Sequence, residues 1–190
     1  STGQLFTSGI KILVLVTPTF HELYGYNLTI HDIDPSYTLG DAARRRAAIL
    51  QQLHDEGVAD MNKELPWPAL PQRFAVISSP SAAGYGDFMN QLQHNAYGYK
   101  IYTALFSAAM QGEQTAQSII DALDRINRHD GLFDGVVIIR GGGATSDLNS
   151  FDSYPLAANV AQFPLPIITG IGHERDDTVI DMVANTRVKT

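Results

Sequence analysis

The chain has 190 residues, a formal net charge of −7 and no cysteine. That length is enough for one ordinary domain with a real core. The missing cysteines exclude disulfides and thiolate metal sites, and the acidic balance argues against a protein that coats nucleic acid by bulk phosphate neutralisation. No apolar run reaches the roughly 20 residues that span a bilayer. Ser1–Lys11 lacks the basic start and apolar block of a secretory signal, so a cytoplasmic location without membrane contact is expected. A start at Ser1 and a stop at Thr190, soon after the most motif-like stretch, read as a piece of a longer chain.

Ile10–Val16 and Tyr24–Ile33 are β-rich runs joined by a segment ending near Gly25, which predicts an antiparallel pair. Asp41–Glu56 reads as a helix with Ala43, Ala47, Leu50 and Leu53 near one face. Leu65–Pro71 holds three prolines in seven residues and predicts a stiff, extended linker. Beyond it the pattern alternates. Phe74–Ile77 is a short buried strand. Tyr85, Phe88, Met89 and Leu92 mark an amphipathic helix. Lys100–Phe106 is a strand, Glu113–Arg128 a helix, and Gly135–Ile139 an uninterrupted apolar strand of the kind covered on both faces. Tyr154–Gln162 reads as a helix, Pro166–Ile171 as a strand and Asp176–Ala184 as a helix. The expected fold is α/β: a three-layer, Rossmann-like parallel sheet of about four core strands, with a β-hairpin and helix as an N-terminal extension. The expected division is 1–71 for hairpin, helix and proline-rich linker, and 72–190 for the α/β core. Ligands of such sheets bind beyond the carboxyl ends of the strands.

Two strand ends carry chemistry. Gly135–Ile139 runs into Arg140-Gly141-Gly142-Gly143. Consecutive glycines let a backbone approach an anion and aim N–H groups at it, and arginine adds a permanently charged planar fork. The same residues also suit a flexible turn whose arginine pairs with a carboxylate. No Walker or dinucleotide fingerprint is present. Pro166–Ile171 runs into Gly172-His173-Glu174-Arg175-Asp176-Asp177. Histidine beside carboxylates can move protons near neutral pH. The acids, with Asp181 one turn beyond Asp177, equally suit the first turn of a helix, where the macrodipole favours them. Asp87 lies in the helix after Ser78-Ser79-Pro80-Ser81 and alone reads as a solvated residue. Arg44-Arg45-Arg46 reads as a solvated helix face and Trp67 as an anchor in the linker.

In order and spacing these blocks resemble the large subunits of bacterial exodeoxyribonuclease VII. The resemblance spans most of residues 10–190. It rests on Ile138–Gly143 with Asp147-Leu148 and Phe151-Asp152, on Gly172–Asp176 continuing through Thr178, Asp181, Val183-Ala184 and Arg187, on Phe74–Pro80, on Gln111-Gly112-Glu113, and on Leu65–Pro71. It implies an enzyme that degrades single-stranded DNA from both ends into short oligonucleotides. The implied partners are single-stranded DNA and a small subunit held by a C-terminal helical region. That region and an N-terminal OB-type domain lie outside this sequence. By matching position, the implied catalytic residues are Asp87, Arg140, His173 and Asp176, and 72–190 becomes the catalytic core. Ala144 stands where serine is common, and Arg175 where a small polar residue is usual.

On this reading Arg140 with Gly141, Gly142, Gly143 and Gly172 holds the scissile phosphate. His173 activates water or protonates the leaving oxygen, Asp176 orients it, and Asp87 is a further acid/base group or a metal ligand. No cofactor is obligatory. Mg²⁺ is an option through Asp87, Asp176, Asp177 and Asp181, which are hard oxygen donors. The competing reading is a non-catalytic α/β module that binds a nucleotide or another anion through the same glycines.

Overall fold

The computed structural model describes residues 12–129, 131–141, 145–172 and 177–188. They form two compact units, 1–47 and 48–190.

In the first unit, β1 (Leu13–His21) and β2 (Gly25–Asp34) form an antiparallel hairpin. Gly25, at φ +73°, takes the left-handed backbone that closes the turn at low steric cost. The register pairs Val16 with Ile30, Pro18 with Leu28 and Phe20 with Tyr26, which gathers apolar side chains on one face. Threonines pair on the other (Thr17 with Thr29), and His31 Nε2 lies 2.7 Å from Thr17 Oγ1. Helix α1 (Pro35–Asp55) follows and runs on into the second unit. Asp41 holds the Arg45 guanidinium at 2.7 Å, so part of the basic cluster is spent within its own helix.

The second unit is the predicted parallel sheet. Its strands are β3 (Arg73–Ser78), β4 (Tyr102–Ser107), β5 (Gly135–Ile139), β6 (Ile167–Gly170) and β7 (Thr186–Arg187), in the order β4-β3-β5-β6-β7. All four pairings are parallel. The strands alternate sides. Ala75, Ile77, Val136 and Ile138 join the cluster built from α3 (Thr115–Asn127), α4 (Tyr154–Ala161), α5 (Val179–Val183) and the end of α1. Val76, Val137 and Ile139 face the other way, against Tyr85 and Phe88 of α2 (Ala83–Gln93). Helices on both faces make three layers, and every residue of β5 is buried. Within α3, the spacing predicts an apolar stripe of Ala116, Ile119, Ile120, Leu123 and Ile126; Ile119, Leu123 and Ile126 are buried, and Ala122 joins them.

The sheet has five strands where about four were expected. The extra one is β7, a two-residue strand that follows α5 and pairs with β6. The helix expected over Asp176–Ala184 is the shorter Val179–Val183, and a 3-10 helix covers Thr145–Phe151.

One buried side chain ties the last strands to the linker. Asn62 Nδ2 donates to the carbonyls of Phe163 and Leu165 at 3.0 and 2.9 Å. Its Oδ1 accepts from the backbone N–H groups of Ile167 and Asn185, each at 3.0 Å. Asn185 Nδ2 returns to the Asn62 carbonyl at 2.8 Å, and Trp67 Nε1 donates to Asn185 Oδ1 at 2.8 Å. Trp67 is thus the anchor of the proline-rich linker, and its ring lies against Gly135 at the start of β5. Among the described residues no helix is long and apolar enough to cross a membrane.

Candidate functional site

The chain passes from β3 through α2 to β4 on one side, then through α3 to β5 on the other side of β3. At that reversal the loops after neighbouring strands diverge and leave a crevice beyond their carboxyl ends, where open α/β sheets bind ligands. Here the crevice is a cavity of about 420 Å³ lined by Ser79, Ser81, Ala82, Ala83, Ala109, Met110, Gln111, Arg140 and Gly141. Its walls therefore come from the segments that follow β3, β4 and β5.

Arg140 is the first residue beyond β5 and is only 5 % exposed. Its backbone is held from two directions. Its N–H donates to the Gly170 carbonyl at 3.0 Å, which extends the β5–β6 pairing by one residue. The preceding carbonyl, of Ile139, accepts from Ser78 Oγ at 2.8 Å. The N-terminus of α2 packs directly on this segment. A Cβ on Gly84 would stand 2.7 Å from the Arg140 carbonyl oxygen, and one on Gly141 would stand 3.0 Å from the Ala83 nitrogen. The glycines therefore allow a backbone-to-backbone approach that larger residues would widen. Asp87 lies on α2, one turn beyond Gly84, and is exposed.

Gly142 and Gly143, and His173 and Asp176 of the second loop, lie outside the described residues. Gly172 is described and buried, two residues beyond the end of β6. Asp177 and Asp181 have defined partners. Asp177 forms an ion pair with Arg187, next to the end of the sheet. Asp181 is 6 % exposed and completes a capping box on α5. Its Oδ2 accepts from the backbone N–H and the hydroxyl of Thr178 at 3.0 and 2.6 Å, while its own N–H donates to Thr178 Oγ1 at 3.4 Å. Asp181 Oδ1 is buried, with no hydrogen-bond partner among the described residues. Asp152 Oδ1 accepts the Val179 N–H at 2.8 Å, a second anchor for the same helix start. The position that the macrodipole favours for an acid is thus the one Asp181 occupies.

Among the described residues, no group of three or more His, Asp or Glu is close enough to hold a metal ion. Two carboxylates outside the cavity lining are held below their usual range. Asp134, at the amino end of β5, is lowered first by the Arg73 side chain at 3.0 Å and further by the N–H groups of Gln72 and Arg73. Glu56 is lowered first by the Tyr154 hydroxyl at 2.6 Å.

The cavity also contains Ser79 and Ser81, whose stretch reads in sequence as a turn with helix-capping residues, and Gln111, which entered only through the family resemblance. A hydroxyl-rich turn directly after a core strand was the available signal. For Asn62 there was none, because its side-chain partners lie more than 100 residues away in the sequence.

Residues 58–190 match the family model described as "Exonuclease VII, large subunit". The exodeoxyribonuclease 7 large subunit of Deinococcus radiodurans is 38% identical over 192 aligned residues, covering 100% of this chain and 46% of that protein. The protein of the same name from Nostoc sp. is 35% identical, covering 99% of this chain and 45% of its own length. That from Lacticaseibacillus casei is 35% identical over 96% of this chain and 40% of its own length. The chain thus spans less than half the length of these curated relatives.

Proposed function

The chain belongs to the exonuclease VII large-subunit family, and we propose that it carries the catalytic part of an exodeoxyribonuclease acting on single-stranded DNA. The observation that carries this reading is a nearly buried arginine at the carboxyl end of β5, lining the crevice at the sheet's reversal point. A guanidinium in such a water-poor place is suited to a phosphodiester, because its attraction for an anion is only weakly screened there.

In the proposed reaction Arg140 and the amides of Gly141, Gly142 and Gly143, with Gly172 beside them, hold the scissile phosphate and stabilise charge as it builds on the oxygens. His173 removes a proton from the attacking water or gives one to the leaving oxygen, and Asp176 fixes its orientation. Asp87, carried on the helix that packs against Arg140–Gly141, is the further acid/base group. Products are oligonucleotides released from both ends of the strand, and the working enzyme includes the small subunit. Cleavage takes place in the cytoplasm, and residues 72–190 form the catalytic core. The described carboxylates do not by themselves form a metal cage. Asp181 commits one oxygen to a cap and Asp177 is paired with Arg187.

The test is release of acid-soluble oligonucleotides from single-stranded DNA by full-length large subunit plus small subunit, with and without excess chelator. Arg140→Ala is expected to lower kcat on the order of 100-fold or more, the usual effect of removing one group that stabilises charge in the transition state. A wild-type complex that releases nothing, yet is stabilised by free nucleotide, would establish the binding-module reading instead. Activity lost on chelation and restored by Mg²⁺ would overturn the metal-free mechanism.

A further inference from the structure

Two serines stand between the end of β3 and the start of α2, a position where serine commonly caps the helix. Neither does so. The N-cap is Ala82, and no side chain caps it. Ser79 and Ser81 instead meet each other, Oγ to Oγ, at 3.0 Å. A hydroxyl has one donor and two acceptor lone pairs, so this single contact leaves each oxygen with capacity to spare. Both serines line the cavity that Arg140 lines, as does Gln111 from the segment after β4, whose amide adds donors and an acceptor. At about 420 Å³ the space exceeds what one phosphate group needs. It falls within the roughly 300–1,000 Å³ of sites that take a small organic ligand. Among the described residues its lining contains no carboxylate to repel a phosphate and no aromatic ring to stack on a base.

We propose that this space is a subsite for the nucleotide next to the scissile phosphate, with Ser79, Ser81 and Gln111 hydrogen-bonding its phosphate and sugar. The proposal rests on the nuclease reading of Arg140 and adds a division of labour to it. Hydroxyl and amide groups without a neighbouring base do not activate water. They bind ground state and transition state alike, so they act on KM and leave kcat alone. With no aromatic ring among its described lining residues, the subsite reads backbone, which predicts tolerance of base sequence.

The experiment is steady-state cleavage of single-stranded oligonucleotides by the full-length large subunit with its small subunit. It compares wild type, the Ser79→Ala/Ser81→Ala double variant, Gln111→Ala and the hydroxyl-keeping Ser79→Thr/Ser81→Thr. Gln111→Ala is expected to raise KM roughly tenfold, as for one lost hydrogen bond to a charged group, and the double serine variant by at least that much, each with kcat within about threefold of wild type. The threonine variant is expected to stay within about threefold of wild type in both constants. Where the double variant does not fold, Ser81→Ala alone carries the test, because Ser81 is exposed. An unchanged KM in the alanine variants, or a fall in kcat at constant KM, overturns the subsite. A wild-type complex without activity removes the nuclease reading and the subsite together. An active wild type with unmoved KM values removes the subsite alone.

Discussion

Replacing Asn62 with alanine removes a side chain that is 0 % exposed and makes four hydrogen bonds to backbone groups, two as donor and two as acceptor. Each such bond contributes about 1 kcal/mol net, so the sum is about 4 kcal/mol, more if the stranded N–H groups find no water. A domain of this size is stable by roughly 5–15 kcal/mol in total, so the change should be large but not fatal. Trp67 is the single tryptophan and donates to Asn185, which the Asn62 network holds, so its fluorescence reports on this unit. In urea, with a slope near 2 kcal/mol per molar, the midpoint should fall by about 2 M at unchanged slope. Asn62→Asp provides a second arm. It keeps both acceptor bonds but aims a carboxylate at the Phe163 and Leu165 carbonyls. Its folded-state pKa is expected to rise, so its stability should recover as pH falls and the carboxyl group becomes a donor. A loss below about 1 kcal/mol for Asn62→Ala, the contribution of a single ordinary hydrogen bond, would refute the argument that this residue ties the last strands to the linker.

Gly135→Ala should destabilise by about 1–3 kcal/mol through overpacking, because the new Cβ would stand 2.5 Å from Trp67 Cζ3 while Asn185 pins the indole nitrogen. Thermal unfolding checks this, and an unchanged midpoint would show that the ring moves freely. Asp134 has its pKa lowered in the folded state, so the stability it contributes is present above its ordinary value of 3.8 and is lost as pH falls through the lower folded value. Asp134→Asn should therefore flatten the acid limb of the stability profile below about pH 4. Equal slopes for the two proteins in that range would contradict this. Asp181→Ala removes half of the capping box on α5 and should cost about 1 kcal/mol, read by urea titration. Under the proposed function, the full-length variant should keep the wild-type kcat at a temperature where it is folded, and a fall in kcat would show that Asp181 does more than cap α5.

The alternation of strands and helices and the apolar stripe of α3 were legible because local periodicity reports which side of an element is buried. The site was partly legible for a similar reason. Three glycines and an arginine directly after an apolar strand point to an anion at a strand end, whichever strand that is. The acids after β6 were legible as a helix start, but that start was placed at Asp176, whereas α5 begins at Val179 with Asp181 in its first turn. β7 has no periodic signal, because two residues cannot show one. The strand order decides that β3 lies between β4 and β5, and so brings Ser79, Gln111 and Arg140 to one cavity. Asn62 shows the same limit at its sharpest. Its surroundings in sequence are ordinary, and its role exists only where Phe163, Leu165, Ile167 and Asn185 converge on it. The sequence by itself determined most of the elements and, through the spacing of its motifs, the family, and it marked one strand end as a candidate anion site. Tertiary structure alone decided which strand ends face one another and which polar side chains are buried. Those contacts join residues far apart along the chain, and no local pattern encodes them.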